Sequence, residues 1–201
     1  MKRIVCVLLF LVSIGFSQAP DWFSDPVPPR VVLGGDAGMF RISHFDFEDI
    51  YTDRWGPSYS GFAGVRVFSH YYATFSYGRF EKDGKENIAA DDGSAPDPHW
   101  TETWYKIGVQ MHPRVREKLG SFYGFGFAIY QIDENEPLRL FSADRGQGFY
   151  MELGADYALH QTASLYFKIS ISSGGERDRS GFESQSIGGY RFSLGLSVWP
   201  F

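Results

Sequence analysis

Cysteine is almost absent from this 201-residue chain: there is one, Cys6, near the N-terminus. Without disulfides, the stability of the fold has to come from a packed core. Positive charge is also scarce, with 19 Lys and Arg against 24 Asp and Glu, a net charge of -5 and no basic stripe. That balance excludes a nucleic-acid binder. Long apolar runs are missing beyond Phe16, so no later segment spans a membrane as a helix. An ordered EF-hand calcium loop is lacking too. The pairs Gly34-Gly35 and Gly124-x-Gly126 fall inside alternating segments, where they mark close packing and not a phosphate-binding loop. No residue set points to a cofactor or to a specific metal site.

Aromatic residues, at 18%, and 23 glycines are abundant. Barrels use both heavily, rings at interfaces and glycines where space is tight. Met1 to Ala19 has Lys2 and Arg3 before an apolar Ile4 to Phe16 and then small residues, the pattern of a signal peptide over residues 1–19, cut near 17–19. Its removal takes Cys6 away and, with Lys2 and Arg3 lost, moves the net charge from -5 to -7. Residues 20–29 form a proline-rich lead-in that resists helix and central strand alike. Residues 30–201 are then one domain.

Within that domain the hydrophobic period is two. Alternation predicts strands over Val31–Ile42, Tyr59–Phe68, Tyr71–Phe80, Thr101–His112, Ser121–Tyr130, Gly148–Tyr157, Ala163–Ser172 and Gln185–Val198. The connections alternate as strictly as the residues. Ser69-His70, Pro113 to Leu119 and Leu159 to Thr162 are short, whereas His44 to Pro57, Glu81 to His99, Gln131 to Gln147 and Ser173 to Ser184 are long, polar and acidic. An even number of up-and-down strands with every long loop at one end predicts an all-β, eight-stranded antiparallel transmembrane β-barrel.

One face of each segment is aliphatic or aromatic; the other is Gly, Ser and Thr with isolated charges. A soluble lipocalin-like carrier, the alternative, would crowd its polar face with Lys, Asp and Glu. Here that face has Asp36, Arg66, Glu102, Lys106, Glu152, Asp156, Lys168 and Arg191, four acids and four bases. Such a balance suits a narrow interior where each charge needs an opposite partner. Closure of the last strand on the first predicts Arg191 beside Asp36, with Lys168 beside the acids of the sixth strand. Tyr59, Trp100, Trp104 and Phe149 near the long loops, and Tyr71, Tyr123, Tyr157 and Trp199 near the short turns, are expected to form two interfacial girdles.

The C-terminal run Tyr190-Arg-Phe-Ser-Leu-Gly-Leu-Ser-Val-Trp-Pro-Phe201 resembles the last strand of outer membrane barrels. There Tyr190, Phe192, Leu194, Leu196 and Val198 alternate and Phe201, one residue out of that phase, ends the chain. From Arg30 to Phe201 the chain is similar to the small OmpA/OmpX-type, porin-like outer membrane proteins. The resemblance implies a location in a bacterial outer membrane and, as partners, its lipids and lipopolysaccharide, the outer membrane assembly machinery that reads the terminal strand, and an extracellular ligand of the loops. It also implies a barrel filled by its own side chains and not an open pore. Lipid A deacylases of this fold carry a His and a Ser two apart on one strand. This chain has no His-x-Ser, and His160 with Ser164 is its nearest pair. The expected role is therefore structural or interactive and not enzymatic, a lipid-modifying enzyme being the remaining alternative.

Overall fold

A computed structural model describes residues 29–44, 47–85, 98–113, 118–134, 145–177 and 184–200. The leader, most of the lead-in and Phe201 lie outside the described residues. Alternating residues take the extended backbone and pair with their sequence neighbours. The strands are β1 (Val31–Ile42), β2 (Trp55–Phe68), β3 (Tyr71–Asp83), β4 (His99–Met111), β5 (Leu119–Glu134), β6 (Arg145–His160), β7 (Ala163–Arg177), β8 (Ser184–Ile187) and β9 (Gly189–Val198). Every pairing is antiparallel, and β9 closes the sheet on β1.

β8 and β9 are one stave with a break. The pairs Gly174 with Ile187 and Ile171 with Tyr190 lie on one unbroken register of β7. At Gly188, φ is 93°, a conformation that suits only glycine; the Gly189 N–H then donates to the Ser172 hydroxyl at 3.2 Å. The molecule is thus a closed eight-stave, up-and-down barrel. Its pairing can be followed around the wall from Val31 through Val65, Ala73, Val109, Phe125, Met151, Ile171 and Tyr190 to Arg41. The circuit returns to β1 ten residues above its start. With eight staves that stagger tilts the strands by about 40° and leaves a lumen that side chains fill.

Most staves run further toward the long loops than hydrophobicity predicts. β2 starts at Trp55 and contains Pro57, which the sequence places in a loop. Proline is tolerated there because pairing of β2 with β3 begins only at Ser58. A four-residue helix, α1 (Phe47–Ile50), also appears inside the first long loop.

Faces follow parity. Outward positions include Phe127, Phe149 and Met151, each more than 60% exposed, an apolar belt that water would not tolerate on this scale. Trp100 and Trp104 depart from the expected girdle: they are 0% and 3% exposed and face the lumen. Their even numbers put them on the same side of β4 as Glu102 and Lys106. Trp199 also turns inward, against Tyr72 and His112. The Trp104 indole lies over its cross-strand partner Gly78, where an added Cβ would stand 2.6 Å from Trp104 Cζ2. Gly78→Ala should therefore cost about 1–3 kcal/mol, read as a lower urea midpoint of the refolded barrel. An unchanged midpoint would mean that the indole has room to move aside.

Candidate functional site

Eight staves bring the polar face of each strand into one lumen, which is organised in layers. The middle layer centres on Asp36. Its Oδ2 pairs with Lys168 Nζ at 2.8 Å and accepts from the Tyr166 hydroxyl at 2.7 Å. Its Oδ1 pairs with Arg191 Nη2 at 2.5 Å and accepts from the Ser60 hydroxyl at 2.8 Å. Arg191 in turn donates to Ser58 Oγ from Nε at 2.8 Å and to Ser60 Oγ from Nη1 at 2.9 Å. All three charged residues are buried. Lys168 also lies 3.9 Å from Glu152 of β6, the neighbour the sequence suggests, but its closer partner is the acid of β1. The barrel curves β7 toward β1, a proximity that strand order conceals.

Toward the short turns, Gln110 donates to Glu152 at 2.7 Å and shares a 2.6 Å contact with His112. A cavity between Phe62, Gln110, His112, Asp156 and Trp199 has room for about one water molecule. Arg66 and Asp156 face the same lumen by parity, and each is engaged in an interaction. Lys106 donates to Ser170 at 3.1 Å and stands 5.0 Å from the Tyr150 ring centre and 5.6 Å from that of Trp104.

Toward the long loops the lumen turns aromatic. Phe40 packs on Phe80 at 5.1 Å and on Trp104 at 5.4 Å; Phe47 and Tyr51, from α1 and the residue after it, sit on Trp100 at 5.3 and 6.1 Å. The loop that composition alone reads as solvated therefore folds back as a plug. The Tyr51 hydroxyl donates to Glu134 at 3.1 Å; burial and then that carboxylate push the phenol well above its ordinary range. Among the described loop acids, Glu48 pairs with Arg54 at 3.1 Å and Asp53 with Lys82 at 3.0 Å. Burial alone would raise Asp53, but the Lys82 bond and charge and the Trp55 N–H outweigh it and hold the carboxyl below its usual value. That modest, solvent-exposed tie is present at neutral pH and weakens as the pH falls through the lowered value.

Within this plug Glu102 stands apart. It is 0% exposed and neither carboxylate oxygen has a hydrogen-bond partner. Interior charge is thus not matched residue by residue, and parity and counting gave no signal of this exception.

On the outer surface Tyr190, Phe192, Leu194, Leu196 and Val198 form one apolar row, each more than 40% exposed. Phe201 falls outside the described residues. His160 is exposed and contacts Thr162 at 3.2 Å, while Ser164 is buried at 5%. Among the described residues no three metal-type side chains converge, and no helix is long and apolar enough to cross a membrane. The acids Asp91, Asp92 and Asp97 of the second long loop lie outside the described residues.

No protein-family profile and no curated protein matches the chain by sequence. Solved structures do match its fold. Neisserial surface protein A superposes with a TM-score of 0.62 at 13% identity, covering 84% of this chain and 96% of that one. The outer membrane protein OprG of Pseudomonas aeruginosa gives 0.56 at 12% identity, covering 85% and 95%. Ail, the attachment invasion locus protein of Yersinia pestis, gives 0.53 at 6% identity, covering 85% and 98%. With a closed antiparallel wall of eight staves, an apolar outer belt and a lumen filled by paired charged side chains and rings, the chain has the fold of the small eight-stranded outer membrane β-barrels.

Proposed function

We propose that this protein is an outer membrane barrel with a structural and interactive role, exported by a cleaved signal peptide and presenting its long loops outside the cell. The observation that carries this reading is the division of the two faces. Charges on Asp36, Lys106, Lys168 and Arg191 are buried in the lumen, whereas large apolar side chains cover the outside. A soluble carrier would have these reversed. Lipid is the solvent in which this arrangement is stable, because the closed wall satisfies every stave's backbone pairing and presents a mainly apolar belt outward.

The lumen is not an open pore in this reading: the Asp36 layer and the aromatic plug occupy it in series. Nor is the role enzymatic, since His160 and Ser164 occupy different environments, one exposed and one buried. The lipids and lipopolysaccharide are the surrounding partners. Arg41, paired in register with Trp55 on one side and Tyr190 on the other, stands at the long-loop edge of the outer face, where it suits a lipid phosphate. The row ending at Val198 is the surface offered to the assembly machinery, and the long loops are the surface for an external ligand.

Heat-modifiability tests the reading. The mature chain refolded in detergent should run at a different position unheated than boiled on a denaturing gel, with its strands resistant to protease. A chain that stays soluble without detergent and shows no shift would overturn it. Loop truncation should then leave the shift intact while removing any binding of an external partner.

A further inference from the structure

We propose that Tyr72 is a latch that fastens the two ends of the barrel chain to each other at the short-turn mouth and so closes the lumen from that side. The starting point is the seam between the first and last staves. Every other seam of the wall joins staves that are consecutive in the chain, so a turn or loop ties it; the seam of β1 with β9 has no such tie. Its ladder runs from Ile42 with Gly189 down to Leu33 with Val198. Just past that end stand Pro29 before β1 and Pro200 after β9, and neither has an N–H with which to extend the pairing. Backbone bonding cannot hold the seam there, so a side chain has to.

Tyr72 does this from β3. It is 0% exposed, and its hydroxyl donates to the Pro29 carbonyl at 2.8 Å. Its ring meets that of Trp199 edge-on at 5.8 Å. One side chain thus holds the residue that leads into β1 and the residue that leaves β9. Each end has a second hold. The Arg30 carbonyl accepts from the Arg66 N–H at 2.8 Å, and the Trp199 N–H donates to the Thr162 carbonyl at 2.9 Å. His112 completes the arrangement, 5.1 Å from Tyr72 and 5.2 Å from Trp199, so the three rings touch pairwise, and Phe122 stacks behind His112 at 5.5 Å. A tyrosine suits the position because its ring packs while its hydroxyl reaches a carbonyl at the mouth.

The latch also has a place in the lumen. Trp199 and His112 line the cavity with room for about one water molecule, and Lys168 of the Asp36 layer lines it too. These rings are therefore the floor beneath the ion layer, as the aromatic plug is its roof. Because its partners precede the first stave and follow the last, the latch forms only once the wall has closed. It takes no part in strand pairing, so releasing it should loosen the chain ends and leave the wall standing. The inference rests on the closed wall, which the gel shift tests separately.

The test uses the mature chain refolded in detergent, with limited trypsin and the masses of the products as the readout. The bond after Arg30 is the reporter, since that side chain is exposed while its own carbonyl and that of Pro29 are held. Tyr72→Phe, which removes only the hydroxyl, should be cut there at least about tenfold faster than the native chain, with the gel shift kept. Trp199→Ala should speed the same cut at the opposite end of the barrel chain. Tyr71→Phe, at an outward neighbour, should not. A second readout tests the closure. With Cys6 in the leader, Ser197→Cys gives the mature chain a single thiol at the cavity wall, and methyl methanethiosulfonate should modify it at least about tenfold faster when Tyr72→Phe is added. An unchanged Arg30 cut in Tyr72→Phe or in Trp199→Ala, an equal acceleration in Tyr71→Phe, or unchanged thiol reactivity would each overturn the proposal. Loss of one hydroxyl spares the wall, so Tyr72→Phe decides the matter even if Trp199→Ala fails to fold.

Discussion

Asp36→Ala is expected to destabilise the barrel by about 3–5 kcal/mol, the range for removing one side of a buried ion pair. The reason is the number of groups it leaves behind. Lys168 and Arg191 both point at this one carboxylate, whose side chain is 0% exposed, so its loss leaves two buried cations without their shared counter-charge. Arg191→Ala should cost less, because Lys168 continues to neutralise Asp36 and the Ser60 and Tyr166 hydroxyls continue to donate to it. The double variant should recover part of the loss, with a coupling of at least about 1 kcal/mol. Reversible urea unfolding in lipid vesicles gives all three values. Additivity within about 0.5 kcal/mol would refute the pairing.

Phe127→Arg probes the opposite face. Phe127 lies near the middle of β5, is 65% exposed and meets the outward ring of Phe149, 4.9 Å away. If lipid covers it, an arginine there must either lose its hydration or thin the bilayer, at about 2–4 kcal/mol near the midplane. Gln131→Arg, outward on the same strand but close to its long-loop end, should cost about 0–1 kcal/mol. Unfolding from lipid vesicles measures both. Equal, negligible costs would mean that the apolar belt does not meet lipid, and the membrane reading would fall with it.

The residues differ in how openly they declare their positions. A period of two is local, so the faces of β1 to β7 and β9 can be read from the chain, and with them the lumen side of Asp36, Arg66, Glu102, Lys106, Glu152, Asp156, Lys168 and Arg191. The same parity puts Trp104 inside; only the general liking of tryptophan for interfaces suggests otherwise. At that position steric fit decides, because Gly78 opposite leaves a space the size of the indole. The closure of β9 on β1 is also readable, since an even number of staves with no spare edge admits one solution.

What lies across the lumen is not readable. Lys168 reaches Asp36 because a stagger of ten residues turns β7 past β9 toward β1, and stagger is a property of the whole circuit and of no single strand. The same holds for α1, whose Phe47 is apolar in a polar loop and acquires meaning only when Trp100 is beneath it. Sequence by itself determined the number of staves, their faces and the end that bears the long loops, because alternation and loop length act between neighbours. Tertiary structure alone decided that Lys168 joins Arg191 on Asp36, which rings plug the mouth and that Glu102 is left without a hydrogen bond, because those contacts join residues that only closure of the wall brings together.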